Sequence, residues 1–164
     1  MRVVVQRVTR ASVSVDDKIV GAIGAGLLAL VGVAPEDGAA EVDWIADKLL
    51  GLRIFPDPDP EPDPDPAGSE SDSPANNAKN MNRSLLDIDG ELLLVSQFTL
   101  TADTRRGRRP SFTSAAAPAH AEQIYQQLVD VLKPRVPLQT GEFGADMQVE
   151  LVNDGPVTFL LERP

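Results

Sequence analysis

The stretch LLLVSQFTL at residues 92–100 couples an unbroken apolar run to a short polar string, and it decides much of the fold. Four consecutive apolar residues before a polar string are typical of a strand that is buried on both faces of a sheet. The residues that follow are polar or aromatic where a plain strand would continue with Val or Leu: Ser96, Gln97, Phe98 and Thr99. We therefore predict that a buried strand ends here and presents hydroxyl, amide and backbone groups.

A second string, NDGPVT at residues 153–158, divides the last apolar segment into two predicted strands, 147–152 and 157–161. A Gly–Pro step removes one backbone donor and relaxes the trans preference of the peptide bond before the proline. We predict a turn at Gly155 and Pro156. Two such strings in one domain indicate a site built mainly from backbone groups.

Apolar periodicity predicts the other strands and two helices. Alternating valines indicate a strand within residues 3–15 that ends in a hairpin turn at 16–18, and residues 27–33 form a second strand buried on both faces. Two apolar stripes at helical spacing follow Pro35 and Pro118. The stripes are Val42, Ile45, Ala46, Leu49 and Leu50 in the first helix, and Ile124, Leu128, Val131 and Leu132 in the second.

The composition suits one domain with an apolar core, because 42% of the 164 residues are hydrophobic. Several strands and two helices with mixed connections predict the α/β class. We predict a single compact domain over residues 1–164, with mixed β-sheets in a layered or barrel-like arrangement and both helices packed on one side.

One acidic segment dominates the charge of the chain. The formal net charge is −10, yet residues 57–72 hold seven Asp and Glu residues and no Lys or Arg, which leaves 15 basic and 18 acidic residues elsewhere. The acidity of the whole chain therefore does not exclude a nucleic-acid partner, which needs a basic surface. Alternating prolines and like charges favour an extended, solvated loop, so we predict an insertion at about 56–78. It is either a tolerated insertion or an acidic docking tail.

Three absences bear on where the chain works. It has no cysteine, which excludes disulfides, thiolate ligands and a cysteine nucleophile and is compatible with a reducing compartment. Its first residues lack the pattern of a secretory signal, and no apolar stretch reaches the length of a membrane span. We predict a cytoplasmic protein with no membrane partner.

Few side chains in the sequence could activate water. The glycine-rich stretch at 21–26 precedes a strand rather than a helix, which argues against a phosphate-binding loop. One histidine without cysteine cannot form a usual zinc site, and we predict that His120 is an exposed helix residue rather than a general base. A hydrolase of this composition needs a reactive substrate, such as the aminoacyl ester on the terminal ribose of tRNA. Backbone N–H groups at 97–99 could stabilise its oxyanion, unless Gln97 and Thr99 only satisfy buried backbone.

An arginine-rich stretch, RRGRRPSF at residues 105–112, directly follows the first polar string. Guanidinium groups grip phosphates bidentately, and Phe112 offers a stacking face for a base. The predicted tRNA-binding residues are Arg105, Arg106, Arg108 and Arg109. The alternative is a solvated loop that pairs with acidic residues elsewhere.

Seven motifs, in this order, resemble the D-aminoacyl-tRNA deacylase family across nearly the whole chain apart from the acidic segment. They are VQRVTRASV at 5–13, GAGLL at 24–28, SQFTL at 96–100, RPSF at 109–112, QTG at 139–141, ADMQV at 145–149 and NDGPVT at 153–158. The resemblance implies the fold of that family and a homodimeric hydrolase that needs no metal or cofactor. Its substrates would be D-aminoacyl-tRNA and glycine mischarged on tRNA-Ala, with L-aminoacyl-tRNA rejected.

The resemblance also implies a chiral selector. In the family, a glycine–proline pair with a cis bond enters the active site of the partner subunit, and that role carries over to Gly155 and Pro156. Arg7 matches an arginine that buttresses this pair, and Met147 is a further supporting residue. The active sites would therefore lie at the subunit interface.

The catalytic pocket of the family carries over to Ser96, Gln97, Phe98 and Thr99. The threonine acts either as the nucleophile or only as a group that orients the substrate, while the ribose hydroxyl of the tRNA helps the reaction. We favour the second role, because the sequence offers no base to deprotonate Thr99. Two functions of other classes stay open: a non-catalytic RNA-binding module and an esterase for small molecules.

Overall fold

The computed structural model of the chain describes residues 1–58 and 81–163. The strands and α-helices in these ranges are β1 (Arg2–Val15), β2 (Lys18–Ile23), β3 (Gly26–Gly32), α1 (Ala39–Gly51), β4 (Phe55–Pro56), β5 (Met81–Arg83), β6 (Glu91–Ser96), α2 (Pro118–Leu132), β7 (Leu138–Thr140) and β8 (Gln148–Glu162). Most of the acidic insertion predicted at 56–78 lies outside the described residues.

The first strand, β1, organises the main sheet because it pairs along both of its edges. On one edge β2 and then β3 run antiparallel to it, so that the two form one long hairpin arm with a bend at residues 24–25. On the other edge β8 runs antiparallel to β1 along almost its whole length. The predicted hairpin turn is confirmed: Asp16 and Asp17 adopt φ values of 48° and 61° between β1 and β2.

The sheet continues through parallel strands and curls into a nearly closed barrel. β6 runs parallel to β3, and β7 runs parallel to β6. Curling brings β2 against β6 and β7, so closely that a Cβ on Gly21 would lie 2.8 Å from the carbonyl oxygen of Thr140 and 3.2 Å from Leu93. The predicted mixed, barrel-like α/β fold is confirmed.

Alternation along the buried strands separates two apolar cores. Leu92 and Leu94 of β6 pack among residues of both helices, whereas Leu93 and Val95 pack among residues of β1, β2 and β3. Each of these four side chains is at most 1% exposed. Because both faces of β6 are covered, its sequence is an unbroken apolar run.

Both helices pack on the same side of the sheet, as predicted, and share one core with it. All five residues predicted for the first helix are buried in α1: Val42, Ile45, Ala46, Leu49 and Leu50. In α2, three of the four predicted residues are buried, but Val131 is only half-buried, and Tyr125, which was not predicted, is buried as well. No helix within the described ranges is both long and apolar enough to cross a membrane.

Two predictions about strands were wrong. The segments 147–152 and 157–161 belong to one strand, β8, because both halves pair with β1 in the same direction. The predicted turn between them is a bulge. The short strands β4, β5 and β7 were not predicted, since two or three residues carry no recognisable period.

Candidate active site

The polar string at 96–99 lies where β6 ends. The N–H of Gln97 donates to the carbonyl of Val31 at 2.7 Å, which extends the β3–β6 pairing by one residue. The chain then enters a short 3-10 helix, Phe98–Thr101. This helix is closed by the bond from Leu100 N–H to the Gln97 carbonyl, at 3.2 Å.

Two backbone N–H groups of this string have no acceptor within the short helix. Phe98 and Thr99 form its first turn, and a first turn has no preceding helical carbonyl to accept its N–H groups. Side-chain caps do not fill the gap, because no side-chain hydrogen bond caps the helix at Gln97. The two N–H groups can therefore donate to the oxygen of a ligand.

The hydroxyl of Thr99 is oriented by its neighbour. Nε2 of Gln97 lies 2.5 Å from Oγ1 of Thr99. A carboxamide is not a base near neutral pH, whichever of its atoms faces the hydroxyl. Gln97 therefore holds the Thr99 hydroxyl in place but cannot take its proton.

An apolar cavity of about 450 Å³ opens beside this string, and Ser96, Gln97 and Phe98 line one of its walls. Residues of α2 and of the loop before β8 line the rest, among them Ala121, Tyr125, Phe143 and Met147. Four of the predicted site residues therefore line the cavity: Ser96, Gln97, Phe98 and Met147. Thr99 lies next to it in sequence but does not line it.

Two aromatic contacts shape this cavity. Tyr125 donates its hydroxyl to the carbonyl of Leu94 at 2.8 Å and packs against Phe143 with ring centroids 5.9 Å apart. Burial raises the pKa of the Tyr125 phenol above its ordinary value, so this side chain stays neutral. Phe98 is 59% exposed and meets Phe112 edge to face, with centroids 5.2 Å apart.

Gly155 and Pro156 lie in a bulge of β8. Asn153 pairs with Val8 of β1 and Thr158 pairs with Gln6, so residues 154–157 stand opposite the single residue Arg7. The excess of residues on β8 pushes the Gly–Pro step out of the sheet.

Only glycine fits at position 155. Its φ is +119°, and a Cβ there would lie 2.7 Å from Cγ2 of Val157 and 3.0 Å from Nη2 of Arg7. The peptide bond between Gly155 and Pro156 is cis.

Arg7 lies directly beneath the bulge and is only 8% exposed. Its Nη1 donates to the carbonyl of Ile54 at 2.6 Å, and its Nε lies 3.0 Å from Oδ2 of Asp154. The contact between Arg7 and Asp154 is an ion pair without a hydrogen bond, because the N–H at Nε is not directed at the carboxylate oxygen. Arg7 is thus fixed between the loop after α1 and the Gly–Pro bulge.

The bulge and the cavity of one chain lie apart. β1 and β3 separate β8 from β6, which places about 14 Å across the sheet between the bulge and the β6 strand. Neither Gly155 nor Pro156 lines the cavity. The structure therefore does not bring the predicted chiral selector to the predicted catalytic residues within one chain.

The four predicted tRNA-binding arginines lie in an exposed loop closed by a backbone pair between Asp103 and Ser111, at 2.8 and 2.9 Å. They are not equivalent. Arg105 donates from Nε and Nη2 to the two carboxylate oxygens of Asp103, at 2.9 and 2.7 Å. The hydrogen bonds from Arg105 hold the pKa of the Asp103 carboxyl well below its usual range. Within the described ranges, ion pairs form at Arg105 but not at the other three arginines.

The sequence missed some residues of the site and misplaced one. Tyr125 and Phe143 line the cavity, and the position of Tyr125 beside the apolar stripe of α2 was a usable signal. His120 is half-buried rather than exposed, because its Nε2 lies 3.1 Å from the carbonyl oxygen of Asp37. Among the residues that the structure describes, no three His, Asp or Glu side chains are grouped so that they could hold a metal ion.

The fold is a mixed α/β domain, and its candidate site joins backbone N–H groups at the end of a strand to an apolar cavity. A model of the D-Tyr-tRNA(Tyr) deacylase family matches residues 4–162. A D-aminoacyl-tRNA deacylase of Xanthomonas oryzae pv. oryzae (strain MAFF 311018) is 53% identical and is covered over 100% of both chains. A D-aminoacyl-tRNA deacylase of Trichodesmium erythraeum (strain IMS101) is 51% identical over 99% of this chain and 97% of its own.

A solved structure agrees with the fold. A protein named c-Myc DNA Unwinding Element Binding Protein superposes with a TM-score of 0.83 at 38% sequence identity, over 100% of this chain and 99% of its own. The chain belongs to the D-Tyr-tRNA(Tyr) deacylase family, and its enzymatic activity is that of a D-aminoacyl-tRNA deacylase.

Proposed function

We propose that this enzyme hydrolyses D-aminoacyl-tRNA and glycine carried on tRNA-Ala, and that it spares L-aminoacyl-tRNA. The observation that carries the proposal is the pair of N–H groups at Phe98 and Thr99, which have no acceptors in their helix and follow the residues that line an apolar cavity. Its substrates are used in translation, so the reaction runs in the cytoplasm.

The chemistry needs little help from side chains. A water molecule adds to the ester carbonyl carbon, and the N–H groups of Phe98 and Thr99 donate to the oxygen as it becomes negative. A positioned oxyanion donor typically contributes about 3–4 kcal/mol to the barrier. The bond to the ribose oxygen then breaks, and the vicinal ribose hydroxyl relays the proton lost by the attacking water to that leaving oxygen. Thr99 orients the ester, since its hydroxyl meets Gln97 and no base.

The cavity takes the terminal base of the tRNA. Its lining is apolar and partly aromatic, including Tyr125, Phe143 and Met147. The base is a flat aromatic group, with faces that stack on apolar and aromatic side chains, and every aminoacyl-tRNA carries one. The aminoacyl side chain varies, so an enzyme for many D-amino acids gains nothing from a pocket that fits one of them.

Chirality is read by Gly155 and Pro156 of a second copy of the chain. In a single chain this pair is separated from β6 by two strands, so it reaches a catalytic string only in an assembly. The exposed residues Phe159 and Leu160 follow the bulge on β8, which forms backbone pairs with β1 alone among the described strands. These features support a homodimer with its active sites at the interface. Backbone atoms of the pair exclude a side chain in the L configuration, and glycine has no Cβ to exclude.

The exposed loop binds the phosphates of the tRNA. Arg106, Arg108 and Arg109 carry this contact, because the charge of Arg105 is engaged by Asp103. Planar guanidinium groups suit phosphate oxygens in pairs.

The decisive experiment offers the enzyme D-tyrosyl-tRNA, L-tyrosyl-tRNA and glycyl-tRNA in parallel. We expect release of D-tyrosine and glycine and almost none of L-tyrosine. Binding without turnover would support a non-catalytic nucleic-acid-binding module, a class suggested by the name of the c-Myc-related structure. Turnover of D-tyrosine ethyl ester as fast as that of D-tyrosyl-tRNA would support a small-molecule esterase.

A further inference from the structure

The side chain of Asn153 bridges the exit of the Gly–Pro bulge. Its Oδ1 accepts the N–H of Val157 at 3.1 Å, and its Nδ2 donates to Oγ1 of Thr158 at 3.0 Å. Nε2 of Gln6 approaches the same Thr158 hydroxyl at 3.4 Å. The carboxamide of Asn153, the last residue before the bulge, thus binds Val157 at the end of the bulge and Thr158 just after it.

We infer that Asn153 is the positioning residue that fixes the direction of Gly155 and Pro156, and that it thereby sets discrimination between D- and L-substrates. This inference rests on the proposed function, in which the Gly–Pro pair excludes the L side chain. Asn153 does not line the cavity, so it acts through the bulge rather than on the substrate.

The contacts around the bulge divide this task between two residues. Arg7 supports the entry side, through its ion pair with Asp154 and by occupying the space into which a Cβ at position 155 would project. The exit side depends on Asn153, because Pro156 has no N–H to donate and Val157 donates its N–H to Asn153. A bulge that lacks its ladder bonds needs such substitutes, since unpaired backbone groups do not otherwise hold a single direction.

The chemistry of the position calls for an amide. Asn153 accepts from a backbone N–H and donates to a hydroxyl at the same time, and the short planar carboxamide carries both functions on adjacent atoms. Alanine removes both contacts. Aspartate keeps the acceptor for Val157 and can accept the O–H of Thr158 in place of donating to it, so it changes the bridge less than alanine does.

The test compares kcat/KM for D-tyrosyl-tRNA and L-tyrosyl-tRNA in four variants. Asn153→Ala and Asn153→Asp alter the bridge, and Pro156→Ala alters the selector itself. Asn82→Ala is the matched control, because Asn82 is an exposed asparagine on β5 with a side-chain hydrogen bond to Asp57. Thermal unfolding and size-exclusion chromatography of each variant report folding and assembly.

For Asn153→Ala we expect the ratio of L to D hydrolysis to rise roughly tenfold, the scale set by the loss of two hydrogen bonds. Asn153→Asp should give a smaller rise, and Asn82→Ala should give none. A simple loss of folded protein lowers both rates equally and leaves the ratio unchanged. If Asn153→Ala does not fold, Asn153→Leu, which removes both hydrogen bonds at a similar side-chain size, decides the question by the same ratio.

The outcomes separate this inference from the function on which it rests. If Pro156→Ala raises the ratio and neither Asn153 variant does, the role of Asn153 is refuted and the selector stands. If neither Pro156→Ala nor the Asn153 variants change the ratio, both the selector and the role of Asn153 are refuted. If wild-type enzyme does not hydrolyse D-tyrosyl-tRNA, the proposed function itself fails.

Discussion

The arginine loop allows a prediction in which the four arginines behave differently. Arg105 is paired with Asp103 through two hydrogen bonds, whereas Arg106, Arg108 and Arg109 have no acidic partner within the described residues. Replacing both members of the pair, as in Asp103→Asn with Arg105→Gln, leaves the net charge of the loop unchanged. We expect this double variant to bind tRNA as the wild type does.

The magnitude follows from counterion release. Each phosphate neutralised by an arginine contributes about 0.7–0.9 to the slope of log affinity against log salt concentration. Raising the salt from about 50 to 200 mM then weakens binding about threefold for each contact, or about 20- to 40-fold for three contacts. Arg106→Gln should reduce the slope by about 0.7–0.9, and Asp103→Asn alone should increase it by a similar amount because it releases Arg105.

The assay is fluorescence anisotropy with uncharged tRNA at several salt concentrations. Thermal unfolding of each variant serves as the control, because Asp103 also accepts the N–H of Arg105 at 3.0 Å and helps to shape the loop. If the double variant loses as much slope as Arg106→Gln, then Arg105 does bind phosphate and its pairing with Asp103 is broken on binding. An unchanged slope in every variant would show that tRNA binds elsewhere.

Four further predictions test other parts of the structure. Thr99→Ala should raise the barrier to deacylation by at most about 3–4 kcal/mol, the cost of losing one positioned hydrogen-bond donor. An acyl-enzyme trapped by rapid quench would instead establish Thr99 as the nucleophile. Gly155→Ala should lower the free energy of unfolding by about 1–3 kcal/mol in denaturant titrations, because φ is +119° at this position. Gly24→Ala is the control: its Cβ would meet nothing closer than 3.7 Å, so the free energy of unfolding should fall by less than about 1 kcal/mol. Burial raises the pKa of Tyr125, the single tyrosine, so its contribution to stability should be constant below about pH 10 and fall above it. The ultraviolet absorbance of tyrosine should show no phenolate before the protein unfolds. Replacing residues 59–80 by a short Gly–Ser linker should leave the melting temperature and the rate of deacylation nearly unchanged, because the flanking strands β4 and β5 pair with each other and hold the two ends of the segment close together. A deletion variant that folds well but is inactive would contradict this.

Periodicity predicted the parts of the fold that bury the most apolar surface. β6 is covered on both faces and therefore has an unbroken apolar sequence, whereas α1 is covered on one face and therefore has an apolar stripe. The course of β8 could not be predicted in this way. A Gly–Pro step indicates a departure from regular strand, but whether the chain then reverses or resumes its direction depends on the partner strand, and β1 is more than 130 residues away in sequence.

The site was predictable to the extent that it is local in sequence. Residues 96–99 and the arginine loop are continuous strings, and the structure keeps each of them together. The pairing of Arg105 with Asp103 was visible as an acid two residues before an arginine, but its bidentate geometry depends on the turn of the loop. Tyr125 and Phe143 meet in the cavity only because α2 crosses the end of β6, which no local pattern reports.

A site made of backbone groups has a particular pattern of sensitivity to substitution. If the N–H groups of Phe98 and Thr99 stabilise the oxyanion as proposed, catalysis should survive changes of those side chains as long as the short helix keeps its shape. The same should hold for the proposed selector of backbone atoms, with exceptions at three positions. The backbone demands glycine at Gly155, and the side chains of Arg7 and Asn153 support the bulge. Substitutions that change the path of the chain should therefore damage this enzyme more than substitutions that remove a polar side chain from the cavity. This is the reverse of the expectation for a hydrolase with a Ser-His-Asp triad, in which removal of one side chain removes most of the activity.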